Sequence, residues 1–133
     1  MTSDDVIWYT DYTRGFLGRV DPRTQQVTEI PMPAGAGSLP YGMASDDKDR
    51  IWVTEGVNYR RHKERDPKGD RVMVLEDTDG DGRADKSTPF VQEPTLVAPL
   101  GIAVIGNKVI VSNAPDLIVY TDVDGDRVFN PAI

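Results

Sequence analysis

The sequence predicts an all-β fold, a partial β-propeller of about three four-stranded antiparallel blades, on three observations. A β-branched and aromatic strand recurs as Ile7-Trp8-Tyr9-Thr10-Asp11, Ile51-Trp52-Val53-Thr54-Glu55 and Val109-Ile110-Val111-Ser112-Asn113, at shifts of 44 and 58 residues. A second segment, Pro40-Tyr41-Gly42-Met43-Ala44, returns 59 residues later as Pro99-Leu100-Gly101-Ile102-Ala103. Runs such as Val72–Leu75 lack strict alternation, as expected of strands covered on both faces. Units of about 40 to 50 residues built from short strands are the signature of propeller blades.

In chain order, a first blade of about residues 5–32 begins with the Trp8 strand and lacks the Pro-x-Gly-x-Ala strand that precedes it in the other repeats. Its next strands are Phe16–Asp21 and Val27–Pro31. The second blade, about 40–92, runs through Pro40–Ala44, Ile51–Glu55, Val72–Asp77 and Ser87–Val91. The third, about 99–133, runs through Pro99–Ala103, Val109–Asn113 and Leu117–Asp122, with Val128–Pro131 as the weakest match to a fourth strand. Trp8 and Trp52 fall inside matched strands, so both are assigned to packing between blades. Fewer than four blades close no ring. The terminal faces are therefore expected to be apolar and to be covered by missing blades or by self-association.

Composition narrows the functions. The 133 residues are 38% apolar, enough for a core, and 22 acidic against 15 basic residues leave a net charge of −7. That balance argues against nucleic acid or an anionic membrane as the partner. No cysteine is present, which excludes disulfides, thiolate metal sites and covalent haem attachment in this chain. No run of 18 apolar residues exists, so no membrane-spanning helix is expected.

Two Asp-rich loops follow the third strands. Asp77-Thr78-Asp79-Gly80-Asp81-Gly82-Arg83-Ala84-Asp85 has the start of a calcium loop. Asp77, Asp79 and Asp81 would bind through carboxylates, Arg83 through its carbonyl, and Asp85 directly or through water. Thr88 stands at the twelfth place, where a full EF-hand has a bidentate Glu. The second loop offers Asp122, Asp124, Asp126, the Val128 carbonyl and Asn130, but has Arg127 in place of the turn glycine. Both segments also have the composition of ordinary Asp/Gly turns. Any ion there is expected to be structural.

Between the second and third strands the second blade carries about 12 extra residues, spanning Gly56 to Gly69, a basic island in an acidic chain. Insertions on a rigid scaffold are where binding groups tend to sit. Arg60 and Arg61 are candidates for clamping a carboxylate or phosphate, Tyr59 for stacking on a ring, Asn58 for hydrogen bonding, and Glu55 lies where the strand opens into the loop. His62, the single histidine of the sequence, is the candidate catalytic base, since its ordinary pKa suits proton abstraction near neutrality. The alternative for all of these is a solvated loop.

Up to about residue 55, the segments Ile7–Asp11, Gly18–Thr24, Glu29–Pro31 and Pro40–Ala44 resemble the streptogramin (virginiamycin B) lyase-like propellers. From about residue 49 onward, Arg50–His62, Gly69–Val72, Leu75–Gly82 and Ala98–Ala103 resemble the membrane-bound dehydrogenase-type propeller of planctomycete and verrucomicrobial proteins, related to glucose and sorbosone dehydrogenases. The second resemblance implies a periplasmic or extracellular oxidoreductase acting on a sugar or alcohol. It also implies a quinone cofactor such as pyrroloquinoline quinone and a haem domain elsewhere in the parent protein. The isolated chain is expected to be inactive, and a non-catalytic binding or assembly module is the competing reading.

Overall fold

A computed structural model describes residues 1–59 and 64–131. Three antiparallel sheets follow one another along the chain. The first holds β1 (Ile7–Asp11), β2 (Phe16–Asp21) and β3 (Gln26–Pro31) in that order; a short 3-10 turn, Gly35–Ser38, leads to the second. The second is β4 (Pro40–Ser45), β5 (Ile51–Glu55), β6 (Arg71–Glu76) and β7 (Lys86–Gln92), and the third β8 (Gly101–Ile105), β9 (Lys108–Asn113) and β10 (Asp116–Thr121). All pairings are between chain neighbours and antiparallel. The inner strand β4 lies beside β8, and β1, the counterpart of β5, lies beside β4 as β5 lies beside β8. This is the arrangement of consecutive propeller blades.

The continuous apolar runs have a direct cause. Alternate residues of the middle sheet face opposite neighbours. Trp52, Val72, Val74 and Phe90 pack with Val109, Val111 and Tyr120 of the third sheet. Ile51, Val53, Met73 and Leu75 pack with Leu17, Met32 and Trp8 on the side of the first sheet. Each fully buried side chain of this size contributes about 1.5–3 kcal/mol. The outer sheets are covered on one face only: Val109 and Val111 are buried while Ile105, Leu117 and Val119 are exposed, as are Ile7 and Val27 of the first sheet.

Residues 128–131 form no strand. Phe129 instead anchors the segment, its ring 4.9 Å from Tyr120 and 6.3 Å from Phe90, and its N–H donating to the Phe90 carbonyl at 2.7 Å.

The turn between β4 and β5 is built on Asp46. Its carboxylate accepts from the backbone of Lys48 (2.9 Å) and Arg50 (3.1 Å), from the Arg50 Nε (2.6 Å) and from the Trp52 indole (2.9 Å). Residues 2–6 form the same turn 44 positions earlier. Asp46 N–H donates to Arg50 O and Asp49 N–H to Asp46 O, both at 3.1 Å; Thr2 N–H donates to Val6 O at 3.3 Å and Asp5 N–H to Thr2 O at 3.0 Å. Asp49 and Asp5 share left-handed backbones, φ 58° and 62°. The Trp8 indole donates to Thr2 Oγ1 at 3.2 Å, as Trp52 does to Asp46.

Candidate functional site

The sheet connections gather at two opposite ends, with different chemistry. At one end lie the Asp loops. In the first, between β6 and β7, Asp77 accepts from Gly80 N–H at 2.7 Å and Gly82 N–H at 2.8 Å, Asp79 from Asp81 N–H at 3.2 Å, and Asp81 from Arg83 N–H at 2.7 Å. In the second, after β10, Asp122 accepts from Gly125 (2.9 Å) and Arg127 (3.1 Å), Asp124 from Asp126 (3.4 Å), and Asp126 from Val128 (2.8 Å). The pattern is the same, residue for residue. Arg127 takes the place of the turn glycine with φ 65°. In each loop one carboxylate oxygen from each of the three aspartates lies within 4.8 Å of the others. Three carboxylates this close repel one another, and a hard cation relieves that repulsion.

The further ligands differ between the loops. Asp85 is engaged by Thr78, through N–H at 3.0 Å and Oγ1 at 2.6 Å, and hydrogen bonds to this carboxylate hold its pKa below the usual range. Thr88 lies in β7 opposite Val74, outside the loop. Val128 and Asn130 are exposed at the end of the second loop. The loops also touch adjoining structure: Arg127 Nε is 3.5 Å from Glu76, just before the first loop. A hollow of about 420 Å³ opens beside Asp77, lined by Asp4, Trp8, Arg19, Arg50 and Glu76 among others.

At the opposite end, Glu55 is fully buried and pairs with Arg71 through two hydrogen bonds, the second at 3.3 Å. Burial raises the Glu55 pKa against the opposing pull of Arg71. Asp70, also buried, accepts from Asn58 N–H at 2.9 Å and Ala98 N–H at 2.6 Å. Its pKa is likewise raised by burial, the two N–H bonds opposing. Asn58 is buried, with its amide oxygen accepting from Asp66 N–H at 2.7 Å and its Nδ2 3.4 Å from Asp66 O. It therefore closes the neck of the inserted loop. Gly69, at φ +80°, lets the loop's exit pass against the connection after β7, where an added Cβ would meet the Glu93 carbonyl oxygen at 1.7 Å.

A cavity of about 240 Å³ sits here, lined by Ser38, Glu55, Asp66, Asp70, Arg71 and Gln92 among others. Tyr59 joins a separate cluster with Tyr12 (6.4 Å), just after β1, and Tyr41 (5.8 Å), in β4. Arg60, Arg61 and His62 lie outside the described residues. Of the residues singled out from sequence, Glu55, Asn58 and Tyr59 therefore stand at this end. Asp66, Asp70 and Arg71 were not singled out. Their signal was a charged pair, Asp70-Arg71, set immediately before an apolar strand.

The solved structure described as "Streptogramin B lyase structure" is similar, with a TM-score of 0.55 and 21% identity over 90% of this chain and 38% of that one. At that identity the likeness shows the fold, a β-propeller, of which this chain spans 38% of the neighbour's length. No curated protein matches the chain. No helix among the described residues is long and apolar enough to cross a membrane. A family model described as a domain of unknown function (DUF7133) matches residues 38–130, taking in the second and third sheets and both Asp loops, and the chain belongs to that family.

Proposed function

We propose that this chain is one arc of an extracytoplasmic propeller whose two Asp loops bind calcium as structural staples, while the opposite end takes a small neutral ligand. The observation that carries the first part is the matched pair of loops, each bringing three carboxylates within 4.8 Å. The donor set fits calcium: hard oxygens on a tight loop, with the Arg83 and Val128 carbonyls completing what the carboxylates begin. The loss of Thr88 to β7, and of Asp85 to Thr78, supports modest affinity. Calorimetric titration with calcium and magnesium tests this. Calcium at about 100 times its dissociation constant should add roughly 2.7 kcal/mol per site, with Asp77→Asn and Asp122→Asn each removing one site. No heat and no shift in thermal midpoint at millimolar calcium refutes the staple.

The finer reading is that the parent protein oxidises a sugar or alcohol with a quinone cofactor and passes electrons to a separate haem domain. The resemblance from about residue 49 onward supports it. When bound, a quinone would accept the substrate's electrons. Glu55, Asp66 and Asp70 line the cavity, and Arg71 is already engaged by Glu55. That lining does not fit an acidic quinone such as pyrroloquinoline quinone. It suits the hydroxyls of a polyol or carbohydrate, which donate to carboxylates. Dye-linked oxidation of sugars by the parent protein, with and without added quinone, tests the reading; cleavage of a cyclic depsipeptide instead would favour a streptogramin lyase-like activity. The exposed Ile105, Leu117 and Val119 on one outer face, and Ile7 and Val27 on the other, support a non-catalytic assembly role for the isolated chain. Mass in solution with and without calcium reads that role directly.

A further inference from the structure

Three tyrosine rings meet beside the carboxylate-lined cavity. The Tyr41 ring stands 5.7 Å from Tyr12 at an interplanar angle of 85° and 5.8 Å from Tyr59 at 50°, and Tyr12 meets Tyr59 at 6.4 Å and 88°. Edge-on and tilted contacts of this kind are the favourable ones for aromatic pairs. They brace Tyr41 without covering it: it is 40% exposed, while Tyr12 and Tyr59 are half-buried. Its backbone is pinned as well, the Tyr41 carbonyl accepting from Thr10 Oγ1 at 3.1 Å. An exposed ring already held in place has little freedom left to lose when a ligand settles on it.

Short links tie this cluster to the cavity. Tyr59 lies two residues beyond Val57, which lines the cavity. Tyr59 N–H donates to Gly56 O at 3.0 Å, and Gly56 N–H to Leu39 O at 2.9 Å, which fastens the start of the inserted loop two residues before Tyr41. Pro40, next to Tyr41, pairs with the cavity's Glu55. On the other side, the turn after Tyr12 packs Gly15 against Gly35, so closely that a Cβ on Gly15 would lie 2.1 Å from the Gly35 carbonyl oxygen. Gly35 opens the 3-10 turn whose Ser38 lines the cavity. Hydrogen-bond acceptors in a hollow and an open aromatic ring are thus neighbours at one end of the molecule.

We propose that Tyr41, braced by Tyr12 and Tyr59, is a stacking subsite for a pyranose ring, so that the ligand of this end is an oligosaccharide with one unit in the cavity and the next on Tyr41. The inference rests on the carbohydrate reading of the cavity. Size supports a ligand of more than one unit: the cavity holds about 240 Å³, below the roughly 300–1,000 Å³ of clefts that enclose drug-sized ligands, which leaves room for one small ring. A pyranose carries hydroxyls around its edge and C–H bonds on a flat face. The hydroxyls donate to carboxylates, and the polarised C–H bonds meet the negative face of the aromatic ring. An open-chain polyol lacks the flat face, and an apolar aromatic ligand would leave the carboxylate lining without donors.

The test titrates the chain with glucose, cellobiose and maltose, following tyrosine ring resonances by nuclear magnetic resonance. At least one disaccharide should bind about fivefold or more tightly than glucose. Tyr41→Ala should remove that gain and leave the affinity for glucose unchanged, whereas Tyr41→Phe, which keeps the ring, should retain it. Equal affinities for glucose and both disaccharides, a gain that survives Tyr41→Ala, or a loss that Tyr41→Phe shares would each overturn the stacking subsite and leave the carbohydrate cavity standing. So would a Tyr41→Ala variant that loses glucose and disaccharide alike. No binding of any of the three sugars would overturn the subsite and the carbohydrate reading together.

Discussion

Asp46 and Thr2 hold equivalent tryptophans from equivalent turns, and removing each should have unequal cost. Asp46→Ala deletes the acceptor for the Trp52 indole N–H, and Trp52 is 2% exposed. No water replaces that partner, so the orphaned donor costs roughly 1–3 kcal/mol. The same change strips the Arg50 guanidinium, which is partly exposed and re-solvates, adding ~1 kcal/mol at the level of an imperfectly buried ion pair. A total of about 3 kcal/mol is expected. Thr2→Val removes the acceptor of Trp8, but Trp8 is only half-buried, so about 0.5–1.5 kcal/mol is expected. Urea unfolding followed by tryptophan fluorescence reads both. With a slope of about 1–3 kcal/mol per molar, Asp46→Ala should lower the midpoint by on the order of 1–3 M, at least twice the effect of Thr2→Val. Acid provides a second reading. Burial works against the charge on Asp46, yet the bonds from Trp52, Arg50 and the turn backbone outweigh it and lower its pKa. Its contribution is present above the ordinary 3.8 and is lost as pH falls through the lower folded value. The deficit of Asp46→Asn should therefore shrink only in strong acid. Equal midpoints for the Asp46 and Thr2 variants would refute the argument from burial.

Other perturbations follow from the same geometry. Gly69→Ala places a Cβ against the Glu93 carbonyl at a left-handed φ, and should cost at least about 2 kcal/mol in the urea midpoint; a neutral result would mean that the loop exit can move. Phe90→Ala empties the centre of the ring cluster with Trp52 and Tyr120, costing about 3–5 kcal/mol and weakening the near-ultraviolet dichroism. Glu55, raised by burial, binds its proton more tightly in the folded chain than in the unfolded one. The stability it contributes is present below the ordinary 4.5 and is lost as pH rises through the raised value. Glu55→Gln, permanently neutral, should gain on the parent across that window in pH-dependent unfolding; parallel curves would refute it.

The strands were legible because each carries its pattern locally. Val72–Leu75 read as covered on both faces, and they are. The Asp loops were legible as spacing, since alternate aspartates and one turn residue specify the winding. The Thr2–Val6 turn was not, because Thr-Ser-Asp-Asp-Val and Asp-Asp-Lys-Asp-Arg share little beyond an acceptor first and a left-handed aspartate fourth. Carrying the 44-residue shift back from Ile7 would have exposed it. Asn58 read as a polar loop residue open to a ligand, but its amide is spent on Asp66 backbone. That commitment depends on a contact across eight residues, which local pattern does not encode. Phe129 read as part of a strand, and its ring contacts with Phe90 and Tyr120 hold it without one.

The neck that Asn58 and Asp66 close, backed by Asp70 on Ala98, separates what lies beyond it from the blade below. Once the two stems are clamped, lengthening the enclosed stretch changes only a closure entropy that grows by about 0.6 kcal/mol per doubling. The register of β5 on β6 is therefore held at the stems, by the clamp, and depends little on the length of the stretch between them. A protein built this way can alter what its rim recognises without refolding its scaffold.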